Sequence, residues 1–354
     1  MLIPHILESV IKNKLGKRQY PYFVTFLITW KCNAKCDFCD IWKTKKDFSD
    51  ELTLGEIKNI FQQLKALDVL RLTGGEPFLR SDLAEVINFI DQNNRPYIIH
   101  LTTNGILTGR IVSTLKNINS LEKIHIKISI DSLGEKHDQH RGVPGAFERI
   151  VKTIEELVKL RAKKNFHIGI NHSILGIEEI DVYFELKKIF QKFDIPIYAG
   201  PAWESSIFGI YGEQKISEPE LKPFKPLSGQ EFKKIMDILV KDRKPLKDLA
   251  EKIIDQYNLK GQYNRLIKNK NSPNPKCVAL NNHLRILPNG DVPVCLLNGT
   301  IVGNLKKQSF KDVWFGKALD QQREWVKKCP GCWHTCETDV SAIYTGDIWR
   351  GLFY

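Results

Sequence analysis

The sequence predicts an α/β fold built on a partial barrel of six strand–helix units, and three observations support this. Short β-rich runs alternate with amphipathic helical segments along residues 21–203, six runs in all. Polar and glycine residues gather at the ends of four of these runs, where parallel sheets place their functional groups. Beyond residue 276 the pattern changes to a small cysteine-rich segment that reads as a β-hairpin and helix unit appended to the barrel.

With 354 residues the chain can form two domains, or one large domain with an appendage. Residues 1–20 open with Leu2, Ile3, Ile6, Leu7, Val10, Ile11 and Leu15 at helical spacing, followed by cationic residues. Such an amphipathic helix fits packing on its own domain better than lying on a membrane surface. The β-rich runs are 22–29, 69–75, 97–104, 123–131, 166–175 and 195–203. Helical patterns lie near 53–66, 82–93, 109–118, 144–163 and 178–192. Runs separated in this way form βαβ units and a parallel sheet. Six units are too few to close an eightfold barrel, so a partial (βα)6 TIM-like barrel is expected over 21–203. Residues 204–275 carry Pro and Lys clusters and two helical stretches, near 229–242 and 246–259, and read as a helical bridge or lid. In the last part, 276–354, Asn289 and Gly290 signal a type I′ hairpin, whose two turn positions need positive φ. Its flanking strands would bring Cys277 and Cys295 together, with Cys329, Cys332 and Cys336 following in "KCPGCWHTCE".

Composition narrows the function classes. The net charge of +12 comes from lysines scattered over the whole chain, with no dense basic block. That describes a solvated surface better than a nucleic-acid face, and leaves an anionic small substrate open. The eight cysteines fall in two groups, unlike the denser framework of a small secreted protein. The start places its positive charges after the apolar residues, against the order of a signal sequence. No stretch approaches the ~20 apolar residues of a spanning helix. A cytoplasmic location is expected, with thiols available for metal.

Cys32, Cys36 and Cys39 lie within "TWKCNAKCDFCDIW", and residues 20–60 contain no histidine and no further cysteine. A structural zinc site wants four ligands. A distant ligand such as His100 keeps zinc open as an alternative. Three thiolates suit a 4Fe–4S cluster, each taking one corner and leaving the fourth iron open to bind a substrate.

The Cys32-x3-Cys36-x2-Cys39 spacing, with Phe38 before the last cysteine, resembles the radical S-adenosylmethionine (SAM) superfamily. "GGEP" (Gly74, Gly75, Glu76, Pro77) at the end of the second run, "SID" on the fourth and Arg141 in "HDQHRG" match further marks of that family. The resemblance covers residues 20–203. It implies that the open iron binds the amino and carboxylate groups of SAM, and that reductive cleavage yields methionine and a 5′-deoxyadenosyl radical. That radical then takes hydrogen from the substrate. It also implies that Gly74, Gly75 and Glu76 meet the methionine amino group, and that Ser129, Asp131 and Arg141 hold ribose and carboxylate. Phe38 and Asn171 would lie by the adenine. Asn104, in an Asn–Gly pair after the third run, is a further candidate that an ordinary loop would also explain. Singly each residue admits a structural role; jointly they point to one cofactor site.

The C-terminal Cys277-x12-Gly290-x4-Cys295 pattern resembles the start of the SPASM and Twitch extensions, which hold auxiliary 4Fe–4S clusters. A full SPASM extension has more cysteines than the five present here, so a shortened, Twitch-like domain with one auxiliary cluster is implied. Its ligands would be Cys277 and Cys295 with two of Cys329, Cys332 and Cys336; Cys329 and Cys332 are favoured. A four-cysteine zinc ribbon is the rival reading. Leu296 stands where sulfatase-maturing relatives carry an aspartate base, which disfavours that activity. Molybdopterin-precursor enzymes are disfavoured too, because their cysteine spacing and Gly–Gly tail are missing. The expected function is hydrogen abstraction from a peptide, a sugar or aminocyclitol, or a lipid precursor, with electrons from a flavodoxin- or ferredoxin-type donor. A radical methyltransferase and a non-catalytic zinc or iron–sulfur sensor that binds nucleic acid are the alternatives.

Overall fold

The computed structural model describes residues 2–43, 47–202, 227–242 and 249–353. Trp203 of the last predicted run and stretches 204–226 and 243–248 of the predicted bridge lie outside them. Helix α1 (Leu2–Lys14) is followed by six strand–helix units. Their strands are β1 (Phe23–Leu27), β2 (Val69–Thr73), β3 (Ile98–Thr103), β4 (Ile124–Ser129), β5 (His167–Ile174) and β6 (Ile197–Pro201). The helices between them are α2 (Leu54–Gln62), α3 (Leu83–Asn94), α4 (Thr108–Lys116), α5 (Gly134–Arg141), α6 (Ala146–Arg161) and α7 (Glu179–Phe190). Every predicted run and helical pattern of the barrel is present; α5 is an addition.

The strands pair in parallel in the order β6-β5-β4-β3-β2-β1, as consecutive βαβ units place them. Alternation along each strand divides the sheet into two faces. Leu70, Leu72, Ile99, Leu101, Ile126, Ile128, Ile168 and Ile170 are buried in one core with helix residues such as Ile57, Val86, Ile111 and Ile154. Residues of opposite parity, among them Arg71, His100, His125, Lys127 and His167, therefore line the concave face.

The C-terminal part joins this sheet and does not merely follow it. After α8 (Gly229–Asp242) and α9 (Leu249–Leu266), β7 (His283–Ile286) pairs in parallel with β1 and becomes a seventh strand. The next strand, β8 (Asp291–Pro293), pairs instead with β9 (Ile301–Asn304), antiparallel, ahead of α10 (Phe310–Trp314), α11 (Lys317–Lys328) and α12 (Thr335–Thr345). The expected type I′ turn is corrected here. Gly290 has φ +86°, but Asn289 is not among the positive-φ residues. Pro288 fixes its own φ near −65°, which suits the first central position of a type I turn. The Gly290 N–H donates to Leu287 O (2.9 Å) and the Leu287 N–H to Asp291 O (2.9 Å), a type I turn closed by a glycine bulge.

Helix α1 packs on its own domain. His5 Nδ1 pairs with Asp68 Oδ1 (2.9 Å), whose other oxygen accepts from Tyr344 (2.8 Å), and Asn13 Nδ2 donates to Tyr344 O (2.8 Å). Its other face leaves Leu7, Ile11 and Leu15 exposed. Trp314 and Trp333 are buried packing residues, whereas Trp349 is 57% exposed.

Candidate functional site

The loop after β1 carries Cys32, Cys36 and Cys39, and its shape is fixed from three sides. Below it, Glu51 accepts from the Trp30 N–H (2.6 Å) and from Thr29 Oγ1 (3.0 Å). Beside it, the C-terminal end of α5 holds the loop, because Lys35 N–H donates to Arg141 O (2.8 Å) and Asp37 N–H to His140 O (3.1 Å). On the third side, Gly75 N–H donates to Thr29 O (2.8 Å) and Glu76 N–H to Lys31 O (2.7 Å). The glycines are needed for this approach. Gly74 has φ +134°, and a Cβ on Gly75 would stand inside contact distance of the Lys31 carbonyl.

Glu76 is fully buried. Its carboxylate accepts from Thr103 Oγ1 (2.8 Å), the Asn104 N–H (2.8 Å) and the Phe78 N–H (3.1 Å). Burial still pushes its pKa up to about 7, against those three bonds. Pro77 starts the short turn that Glu76 caps, a positioning role within the chain. Asn104 is tied to the cysteine loop through Nδ2 to Asn33 Oδ1 (2.8 Å).

Asp131 and Arg141 form a buried ion pair, and Arg141 Nη1 lies 3.4 Å from Cys36 Sγ. The same guanidinium sits 5.7 Å from the Phe38 ring centroid. Ser129 ends β4 directly opposite Asn171 of β5, which in turn stands opposite Tyr198. The structure thus gathers Phe38, Gly74, Gly75, Glu76, Asn104, Asp131 and Arg141 around the cysteine loop. Ser129 ends β4, and Asn171 stands beside it three residues short of the end of β5. Sequence reasoning missed His137. Its Nδ1 accepts from the N–H groups of Asp131 (3.2 Å) and Ser132 (3.4 Å), and burial with Arg141 nearby lowers its pKa to about 4. Also missed was the contact of His140 with Asp37 (2.9 Å), which pins α5 to the loop. Neither histidine belongs to a periodic pattern that could have exposed it.

The donor set suits an iron–sulfur cluster. Burial pushes the Cys32 and Cys39 thiols up to about 11 and raises Cys36 as well, so on their own they stay protonated at neutral pH. A bound cation reverses that preference and takes the thiolates. Arg141 Nε and His137 Nε2 are buried without a hydrogen-bond partner among the described residues, two donors suited to a ligand with acceptor oxygens.

A second cysteine group sits against the barrel. Cys277, Cys295, Cys329 and Cys332 line one cavity, together with Asn298 and Glu337. Burial raises all four thiols, Cys295 to about 12, and the Asn298 N–H donates to Cys295 Sγ (3.2 Å). Cys336 is absent from that lining. It packs instead on Leu27, Trp30, Ile41, Leu287 and Leu296, the apolar cluster against which Cys32 and Cys39 also lie. Burial works to raise this thiol, but His334, Arg71 and Arg285 outweigh it and bring it to about 7. Glu337 binds the two parts together, accepting from His283 Nδ1 (2.9 Å), Arg285 Nη2 (2.6 Å) and the Leu296 N–H (3.1 Å). Its pKa is held well below the usual range, because those partners outweigh burial. Among the described residues, no three His, Cys, Asp or Glu side chains stand at the spacing of a single-ion site. Ligands on the corners of a cluster stand wider apart than ligands of one ion.

A parallel barrel with three cysteines at its mouth and a four-cysteine cavity at its flank defines a class: enzymes that join SAM to iron–sulfur clusters. Residues 26–181 match the radical SAM superfamily and residues 277–337 the SPASM iron–sulfur cluster-binding domain, and the chain belongs to that superfamily. It is 28% identical over 352 residues to the AdoMet-dependent heme synthase of Methanosarcina barkeri (strain Fusaro / DSM 804), covering 88% of this chain and 91% of that one. It is 30% identical over 243 residues to the GTP 3′,8-cyclase of Clostridium perfringens (strain SM101 / Type A), covering 67% of each. Among solved structures it resembles Streptococcus suis SuiB bound to S-adenosylmethionine, with TM-score 0.56, 16% identity, and 87% of this chain and 69% of that one covered. It likewise resembles anSMEcpe with bound AdoMet and peptide, with TM-score 0.55, 16% identity, and 94% and 96% covered. The chain is therefore an enzyme whose cofactors are SAM, a SAM-binding 4Fe–4S cluster and auxiliary iron–sulfur chemistry. Among the described residues no helix is long and apolar enough to cross a membrane.

Proposed function

We propose that this enzyme abstracts hydrogen from a small-molecule substrate held in the barrel, with a single auxiliary cluster aiding the oxidation. When bound, the reduced cluster and SAM supply one-electron cleavage of the sulfonium, giving methionine and a 5′-deoxyadenosyl radical. In this reading Cys32, Cys36 and Cys39 would hold the cluster, and Arg141 places positive charge beside the Cys36 sulfur. The carbonyls at Gly74 and Gly75 and the Glu76 carboxylate receive the methionine ammonium. Asp131, Arg141 and Ser129 orient the carboxylate and ribose, while Phe38 and Asn171 flank the adenine. Cys277, Cys295, Cys329 and Cys332 would hold the auxiliary cluster, which would supply an electron-accepting centre. A flavodoxin- or ferredoxin-type protein is the proposed electron donor.

The observation that carries the reading is the convergence of two separate segments on one loop: Gly75 and Glu76 through their amides, and α5 through its terminal carbonyls and through the Arg141 guanidinium beside Cys36. The heme synthase relative, which matches most of this chain, favours a haem-type tetrapyrrole over the peptide, sugar and lipid classes. Anaerobic protein reconstituted with iron and sulfide, reduced and given SAM, should form 5′-deoxyadenosine. Deuterium passed into that product from a labelled candidate would name the substrate. A fully loaded protein that forms none would refute the reading.

A further inference from the structure

Packing on its own domain takes up only one face of α1, and that face is the polar one. His5 reaches Asp68, Asn13 reaches Tyr344 O, and Ser9 is fully buried. The outward face carries Leu7 and Ile11, and Leu15 continues the row one turn on, its N–H donating to Ile11 O (3.0 Å). The three stand four residues apart and are 55%, 59% and 62% exposed. Trp349, in the short helical turn Asp347–Phe353 after α12, extends this face. A Cβ on Gly346 would stand 3.4 Å from Val10 Cγ2 and 4.0 Å from Trp349 Cδ1, so the indole borders α1 beside Val10. Among the described residues, Leu7, Ile11, Leu15 and Trp349 are the large apolar side chains more than half exposed. Scattered singly they would call for no explanation; gathered on one face they mark an interaction surface.

The charge along this face is positive. Lys14 stands within the apolar row, Lys17 follows at its end, both are exposed, and neither is in an ion pair among the described residues. The acids at the border are already matched. Glu8 pairs with Lys12 (2.5 Å), and Asp347 with the Tyr257 hydroxyl (2.6 Å) and Arg350 Nε (3.0 Å). An apolar row with cations along it and a tryptophan at its edge fits the boundary between headgroups and acyl chains of an anionic bilayer. A second copy of the chain fits less well, since a two-fold contact through this face would crowd the lysines of both copies together. The position also leaves the site free. His5 stacks on Tyr22 and bonds to Asp68, which precede β1 and β2, so α1 lies at the amino ends of the strands, opposite the cysteine loop.

We propose that Leu7, Ile11, Leu15 and Trp349, with Lys14 and Lys17, dock the enzyme on an anionic lipid surface, α1 lying in the plane of the interface and the barrel mouth left free. The docking is independent of the chemistry proposed for the barrel. The test is sedimentation of the anaerobic holoprotein with vesicles of phosphatidylcholine and phosphatidylglycerol, and with vesicles of phosphatidylcholine alone. The mixed vesicles should carry the protein down, the neutral ones much less, and high salt should weaken the binding. Ile11→Gln and Trp349→Gln should each lower vesicle affinity about tenfold, as loss of a buried apolar side chain does. Lys14→Gln and Lys17→Gln should each lower it about fivefold. Ile189→Gln, an exposed apolar position on α7, should change nothing. Iron content and circular dichroism report whether each variant is intact; should Ile11→Gln fail either, Leu15→Gln at the end of the helix decides in its place. Equal binding to both kinds of vesicle, binding to neither, or binding that the intact apolar or lysine variants leave unchanged would overturn the proposal. So would a dimer in light scattering that Ile11→Gln splits, because a second copy would then be what covers the face.

Discussion

Gly75 shows how one missing side chain sets the site. Its Cβ position is taken by the Lys31 carbonyl, which is backbone and cannot swing away. Gly75→Ala should therefore push the cysteine loop outward, costing about 1–3 kcal/mol of stability and most of the iron bound by Cys32, Cys36 and Cys39. Denaturant unfolding and iron analysis check this; an alanine variant with full iron and unchanged stability would contradict it. His137 gives the pH counterpart. Its folded pKa of about 4 lies below the ordinary value of 6.5, so the unfolded chain binds the proton more readily between those values. The stability present above pH 6.5 should be lost as pH falls through about 4, by up to about 3 kcal/mol. Comparing wild type with His137→Gln isolates the effect, because glutamine cannot titrate. Parallel stability curves for the two proteins would show that the ring carries no such penalty.

At the scale of elements, α12 divides the cysteines. It begins one residue before Cys336, turning that thiol toward Arg71 and Arg285 and away from the cavity lined by Cys277, Cys295, Cys329 and Cys332. Cys332→Ala should accordingly lose about four irons, while Cys336→Ala keeps the wild-type iron content. Equal losses in both would return Cys336 to the ligand set. What the sequence revealed at this scale follows from periodicity. Strands β1–β6 and their long helices announce themselves through apolar residues spaced at two or 3.6. Helix α5 does not, since "GEKHDQHR" has no apolar face, yet it supplies Arg141, His137 and His140. The cysteine, glycine and acidic marks of the SAM site were legible because each stands beside a strand end. The grouping of basic residues on the concave face was not, because Arg71, His100, His125 and His167 are far apart in sequence and meet only through strand register.

For the molecule as a whole, the seventh strand was the feature least visible in advance. "HLRI" is short, and the Asn–Gly signal behind it argued for a local hairpin, whereas its partner β1 lies some 260 residues earlier. Long-range parallel pairing leaves no local trace. Its consequence is that the cysteine-rich part cannot be a detachable appendage. Leu284 and Ile286 of β7, with Phe310, Trp314, Leu319 and Val326 beyond it, belong to the same buried core as β1–β5. Glu337 then locks α12 to β7 through two buried partners. Ending the chain at residue 275 would strip β1 of one ladder, leaving an open apolar edge of the kind that associates with other chains. A chain of residues 1–275 should therefore aggregate on expression, even though it contains every residue proposed to bind SAM. Size-exclusion chromatography and SAM titration of that truncation decide the matter. A soluble monomer that binds SAM and keeps the cluster of Cys32, Cys36 and Cys39 would show that the barrel stands without its seventh strand.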